Sequence, residues 1–269
     1  MTGMPDHAVA RLRATRLTQS GKPFAGRGAR KPRCPGCRVI ASHCFCALRP
    51  EVETSAGICL IMGDIEALKP SNTGWLIADV VQATSAFGWA RTAVDPGLLT
   101  LLADPQWTPY LVFPGDPEEP KAAGRMVSEL TDVPCTRPLF VLLDGTWTEA
   151  HKMFRKSPYL DQLPLLSLQP EQLSRYRLRR AASDAHLCTA EVAALCLAMA
   201  GESHAAETLD AYLEVFTGRY LDAKNSVRPD VEDAAHLRLR ALASVGSGSL
   251  AAQPQQAQPE PHQRRLKSG

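Results

Sequence analysis

The chain has no apolar run approaching the roughly 18 residues that a bilayer-spanning helix needs, so no membrane span is expected. Its amino terminus carries arginines but no apolar core, which argues against a secretory signal. Without export, the eight cysteines are not expected to build a disulfide framework. Acidic residues are almost missing from the start. Between Met1 and Arg33, Asp6 stands alone against eight Lys and Arg, a local charge of +7. The net charge is +2, which leaves −5 for the remainder. A basic arm on a mildly acidic body suits a polyanionic partner, because Lys and Arg contacts to phosphates give sequence-independent affinity. A solubilising tail would explain the same charge. The arm also weakly resembles an organellar transit peptide; the expectation adopted is a basic arm of a cytoplasmic protein. No internal repeat is visible.

What is present is enough for a sizeable core: 269 residues, 45% of them hydrophobic. The most informative stretch is Leu139 to Arg155, LFVLLDGTWTEAHKMFR. Five apolar residues run into Asp144, then Gly145, Thr146, Trp147 and good helix formers. Such a run is expected of a strand buried on both faces. Asp144 then stands at the carboxyl end of a central parallel strand, the edge where open α/β sheets bind ligands. An acid there can be a base, a ligand clamp or a helix cap.

Four of the cysteines crowd into CPGCRVIASHCFC: Cys34, Cys37, Cys44 and Cys46. Two thiolate pairs this close match a tetrahedral zinc site, and four thiolates leave no open position, so the zinc would be structural. Two disulfides or free thiols are the alternatives, and His43 could replace one Cys. Cys59, Cys135, Cys188 and Cys196 have apolar neighbours and suit buried small hydrophobes.

Along the chain, residues 1–30 are expected to form a disordered basic arm and 31–54 a zinc knuckle. Gly57–Met62 is expected to be the first core strand. Pro70, Ser71, Asn72 and Gly74 form a turn before a helix that Asn72 or Thr73 can cap. Further strands are expected at Trp89–Val94, Tyr110–Phe113 and Leu163–Leu168. Helices are expected at Glu119–Leu130, Trp147–Lys156 and from Thr189 onward, with Leu209, Tyr212, Leu213, Phe216 and Tyr220 as a core stripe. Strands alternating with helices predict an α/β domain over 55–225: a mostly parallel sheet with flanking helices. Residues 226–269 are a carboxyl-terminal extension, expected to be disordered from about 245.

The ordered set Pro70-x-Asn72-Thr73-Gly74, Phe113-Pro114-Gly115, Asp144-Gly145-Thr146-Trp147, Tyr176-Arg177-Leu178-Arg179 and Thr189-x-Glu191 resembles the DTW-domain family, from about residue 34 to 220. The knuckle looks like that of its bacterial members. Two positions depart from the pattern: Cys188 where a small Ser is expected, and Trp75 where a basic residue is expected. The resemblance implies an α/β fold related to the SPOUT methyltransferases. It also implies a tRNA-uridine aminocarboxypropyltransferase. Such enzymes move the 3-amino-3-carboxypropyl group of S-adenosylmethionine to N3 of uridine and leave 5′-methylthioadenosine.

That chemistry assigns roles. The imide N3–H needs a base, and Asp144 is the leading candidate. A solvated Asp has a pKa of about 3.9, so burial would need to raise it. Attack at the γ-carbon instead of the methyl carbon must come from positioning. Thr146 can cap the helix or bond a ligand, and Trp147 can stack on a base or pack in the core. For the donor, Asn72, Thr73, Gly74, Pro114 and Gly115 offer strand-end backbone, and Arg177, Arg179 and Thr189 could meet its carboxylate. Glu191 could take its ammonium or simply favour the helix dipole. The tRNA surface would combine the knuckle, the arm, Ser174–Arg180 and the basic residues Lys152, Arg155 and Lys156. The competing readings are an RNA methyltransferase using the same donor and a zinc-dependent RNA-binding module without catalysis.

Overall fold

The computed structural model describes residues 5–21, 31–114, 119–130, 136–168 and 187–248. The elements, in order, are α1 (Ala8–Gln19), β1 (Gly57–Met62), α2 (Gly74–Val80), β2 (Thr84–Gly88), α3 (Pro96–Ala103), β3 (Trp107–Val112), β4 (Met126–Val127), β5 (Arg137–Asp144), α4 (Trp147–Lys156), β6 (Leu165–Leu166), α5 (Thr189–Met199), α6 (Ser203–Asn225) and α7 (Ala234–Gly248). Six strands form one sheet in the order β2-β1-β5-β3-β6-β4. Every pairing is parallel. The architecture is the expected α/β one, with the four-cysteine cluster on its amino-terminal side.

The apolar runs look uniform, yet alternate residues serve opposite faces, as strand geometry requires. Ile58, Leu60, Met62, Phe140 and Leu142 join a core with α1, α2, α5 and α6. Cys59, Ile61, Leu139 and Val141 join a second core with Leu98 of α3 and Ala150 and Phe154 of α4. Each fully buried Leu, Ile or Phe contributes about 2 kcal/mol, so β1 and β5, sealed on both faces, are the rigid centre. Cys59, Cys188 and Cys196 are buried among these residues as expected, and Cys135 lies outside the described residues.

Three expectations are corrected. Residues 8–19 are not a disordered arm. His7 Nδ1 accepts from Ala10 N at 3.1 Å and caps α1, while Val9 and Ala10 are buried. The basic composition hid a short apolar segment that docks one end of the helix. The second strand is Thr84–Gly88, not Trp89–Val94. Trp89 N makes the last ladder bond, to Met62 O, and the chain then turns to Asp95, whose side chain caps α3 ahead of Pro96. Glu119–Leu130 is turn followed by β4, not helix: Gly124 has φ 74°, and Arg125 donates to the Leu160 and Leu163 carbonyls. Those tertiary bonds outweigh a weak helical periodicity. Helix α7 ends at Gly248, and the remainder of the expected carboxyl-terminal tail lies outside the described residues. Of Leu163–Leu168, only Leu165 and Leu166 sit in the ladder, between β3 and β4.

Candidate functional site at the carboxyl edge of the sheet

β5 ends at Asp144 beside Met62, the last residue of β1. The Gly63 N–H donates to the Asp144 carbonyl at 2.8 Å, so the two strand ends are tied together. The Asp144 side chain is fully buried. It does not cap its own helix. Thr146 does that: its hydroxyl accepts from Glu149 N, and Glu149 Oε2 accepts from the Thr146 N–H at 2.9 Å and from its hydroxyl at 2.6 Å. That hydroxyl holds the Glu149 carboxyl below the usual carboxylate range, with the Thr146 backbone N–H adding to the effect.

The Asp144 carboxylate is instead held by groups from two other helix starts. Asn72 Nδ2 donates to Oδ2 at 2.6 Å, and Thr189 Oγ1 donates to Oδ1 at 2.6 Å. Asn72 also caps α2, its Oδ1 accepting from Trp75 N at 3.3 Å. Thr73 Oγ1 accepts from Ala190 N at 3.3 Å and fastens α2 to α5. Glu191 accepts from Cys188 N at 2.8 Å and serves α5 as Glu149 serves α4. Three helix amino termini thus converge on one carboxylate at the carboxyl edge of a parallel sheet, where backbone N–H groups and dipoles favour an anionic ligand. Gly74 is required by closeness: a Cβ there would meet Asn72 Oδ1 and Asp144 Oδ2, each at 3.1 Å.

Trp147 is 44% exposed and is not a core residue. It lies parallel to Phe113, with ring centroids 5.8 Å apart, and Phe113 stacks in turn on Phe154 at 4.6 Å. His151 packs edge-on against Trp147 at 4.3 Å. The result is an aromatic ledge at the end of β3, with exposed Pro114 beside it. Gly115, Arg177 and Arg179, expected at the donor site, lie outside the described residues, as does Ser174–Arg180.

Two residues at this edge were not foreseen. Glu66 is buried, with Oε2 3.4 Å from Asn72 Nδ2, and it pairs with Lys69. An acid in the short loop after β1 gives no periodic signal. Arg38, from the cysteine segment, sits 4.1 Å over the Trp75 ring and donates to the Lys69 and Asn72 carbonyls at 2.7 and 2.8 Å. A cation therefore stacks on Trp75, the position where a basic residue was expected. The other departure, Cys188, is buried at the start of α5, and burial pushes its thiol up to about 12.

The four clustered cysteines place one sulfur each within 4.8 Å of all the others. Cys34 Sγ is 3.5 Å from Cys46 Sγ and 3.4 Å from Cys44 Sγ. A tetrahedral thiolate site with bonds of about 2.3 Å has sulfur edges near 3.8 Å, so the donor set fits a zinc-sized ion. Gly36 leaves the room: a Cβ there would lie 2.6 Å from Cys46 Sγ. Burial pushes the Cys34 thiol up, but backbone N–H groups of Cys37 and Gly36 and the Cys44 and Cys46 thiols bring it down to about 7. The cluster is fastened to the domain through Trp75 Nε1, which donates to the Gly36 carbonyl at 3.0 Å. His43 is turned away, with Nε2 2.8 Å from the Val227 carbonyl.

Among the described residues, no helix is long and apolar enough to cross a membrane. No solved structure matches the chain. A family model, that of the DTW domain, matches residues 31–221, a span that takes in the cysteines, Asn72, Asp144, Trp147 and Thr189. The chain therefore belongs to the DTW-domain family, whose domain is found in tRNA-uridine aminocarboxypropyltransferases.

Proposed function

We propose that this protein transfers the 3-amino-3-carboxypropyl group of S-adenosylmethionine to N3 of a uridine in tRNA. The observation that carries the reading is the buried Asp144 carboxylate, held by Asn72 and Thr189 instead of capping α4. A carboxylate kept from its own helix and fixed by two donors is preorganised for a proton or a cationic centre. Asp144 is sealed, whereas Thr189 is partly exposed, so the Thr189 hydroxyl is its connection to the outside. The uridine N3–H passes its proton to Thr189 Oγ1 as that hydroxyl passes its own to Asp144. The N3 lone pair then forms a bond to the γ-carbon while the γ-carbon–sulfur bond breaks. The electron pair leaves on sulfur, which turns the sulfonium into the neutral thioether of 5′-methylthioadenosine.

The remaining residues position the partners. Thr73, Gly74 and Pro114 stand at the strand ends on either side of Asp144 and are proposed, with Gly115, to hold the donor; Arg177, Arg179 and Glu191 are proposed for its amino-acid end. Trp147 on its ledge offers a face for adenine or a displaced base, a contact worth about 1–3 kcal/mol per base. Zinc on Cys34, Cys37, Cys44 and Cys46 would be structural and would hold Gly36 and Arg38 against α2. The family supports tRNA as substrate, and the cytoplasm, where tRNA is modified, is the proposed location. Mass spectrometry of tRNA nucleosides from a deletion strain tests the reading. Aminocarboxypropyluridine should vanish and return with the wild-type gene but not with Asp144→Ala. Release of S-adenosylhomocysteine in place of methylthioadenosine would make the protein a methyltransferase. An unchanged nucleoside profile would leave it a binding protein.

A further inference from the structure

We infer that a recess at the carboxyl ends of β1 and β2 seats the acceptor nucleotide, with helix α1 as its outer wall. The inference rests on the tRNA-modifying reading above. The recess encloses about 520 Å³, within the roughly 300–1,000 Å³ usual for small-ligand sites. Gly63, Ala67, Gly88 and Ala93 give it small-residue walls; Leu12 and Arg16 close it from α1. Gly88 faces that helix directly: a Cβ there would lie 3.8 Å from Leu12 Cδ1. Trp89 is also in the lining, and the Lys152 ammonium sits 5.3 Å over its ring.

Position and chemistry favour the acceptor over the donor. The recess shares Gly63 with the catalytic edge, and Gly63 is bonded to the backbone of Asp144. A base placed there lies beside the end of β1, whose ladder partner at the end of β5 is Asp144. The donor's amino-acid end is a zwitterion and needs charged partners. The charges in the recess are already engaged: Arg16 pairs with Asp64, and Asp95 caps α3. A nucleobase needs only flat apolar walls and a few polar edges, here Thr15 and Gln19. Its phosphates need cations nearby: Lys152 sits over the lining Trp89, and the exposed Arg91 follows the lining Ala90 in the chain. Because α1 precedes residue 31, this wall is built from chain outside the family match.

The test uses the full-length protein and a tRNA transcript carrying 5-bromouridine. Ultraviolet crosslinking and peptide mapping should place the adduct on α1 or on residues 88–96, Trp89 above all. Ala93 is exposed, so Ala93→Trp fills the recess without disturbing the core. That variant should lose the adduct about tenfold while filter retention of tRNA and calorimetric affinity for S-adenosylmethionine change by less than about twofold. Adducts found only outside the recess would overturn the inference, as would an equal yield from Ala93→Trp. A tenfold loss of donor affinity in that variant would do so too, by assigning the recess to the donor. The transfer reaction is judged separately. Failure of wild-type protein to release methylthioadenosine from donor and tRNA would remove that reaction and leave the crosslinking result standing.

Discussion

The cysteine cluster and the Asp144 constellation are assembled in opposite ways. The cluster gathers its four sulfurs from a stretch of 13 residues, Cys34 to Cys46. Asp144 receives its partners from 72 residues upstream and 45 residues downstream. A local site needs a bound ion to become stiff, because few residues surround it. A distributed site is stiffened by the sheet and helices that bring its parts together. The cluster should therefore control stability more than turnover, and the carboxylate turnover more than stability.

Cys37→Ser or exhaustive chelation is the hardest blow to that division. Structural zinc in small sites carries on the order of 10 kcal/mol of apparent binding free energy, and much of it is folding free energy. Metal analysis should show about one zinc per chain in the wild type and none in the variant. The thermal midpoint should fall by more than about 10 °C. A metal-free protein of unchanged midpoint would break the comparison at its first half.

Asp144→Asn attacks the second half. Loss of a general base costs typically about 10²–10⁴ in rate, so methylthioadenosine release should fall by that much. The stability cost should stay near about 1–3 kcal/mol, since the amide still accepts from one donor while the other loses its partner. Turnover within about threefold of wild type would show that the carboxylate is merely structural.

Gly74→Ala sharpens the contrast inside one residue. Alanine favours a helix by about 1 kcal/mol over glycine. The added methyl, however, crowds Asn72 Oδ1 and Asp144 Oδ2 at 3.1 Å. The expectation is a thermal midpoint moved by no more than a few degrees, with turnover down about tenfold. Unaltered turnover would mean that the packing around the carboxylate has slack.

The smallest effect concerns pH where α1 meets α2. Burial, then Arg38 and Arg49, lowers His7 to about 3, while burial, opposed by Arg49, raises Asp79 to about 6. Between about 4 and 6 the unfolded chain binds the His7 proton that the fold refuses, so this group makes stability rise with pH. Over the same window the fold keeps the Asp79 proton that the unfolded chain releases, so that group makes stability fall with pH. The two slopes oppose each other and the wild type should be nearly flat there. Asp79→Asn should uncover the His7 slope, up to about 1 kcal/mol lost per unit as pH falls below 6. Urea titrations at pH 4, 5 and 6 would measure it, and a flat variant would refute it.

The difference between the two sites also explains what could be foreseen. The central strands were legible because an apolar run that stops at Asp144 satisfies burial on both faces wherever it is placed. The cysteine cluster was legible because chelation by near neighbours is a matter of spacing. Helix α4 was legible because Thr146, able to cap it, precedes a run of good helix formers. The docking of α1 was not legible, because its buried Val9 and Ala10 are outnumbered by Arg11, Arg13 and Arg16 on the same short segment. Nor was the turn at Lys121–Arg125, whose conformation depends on carbonyls more than 30 residues away.

By itself, then, the amino-acid sequence determined the alternation of strands and helices, the spacing of the four thiols and the acid at the end of the buried strand. Those properties come from short-range chemistry: periodicity, capping and chelation. Only the tertiary structure decided that Asn72 and Thr189 would hold that acid, that Arg38 would lie on Trp75, and that α1 would wall a recess beside them. Contacts between distant residues are set by how the packed layers meet, and no local pattern encodes that.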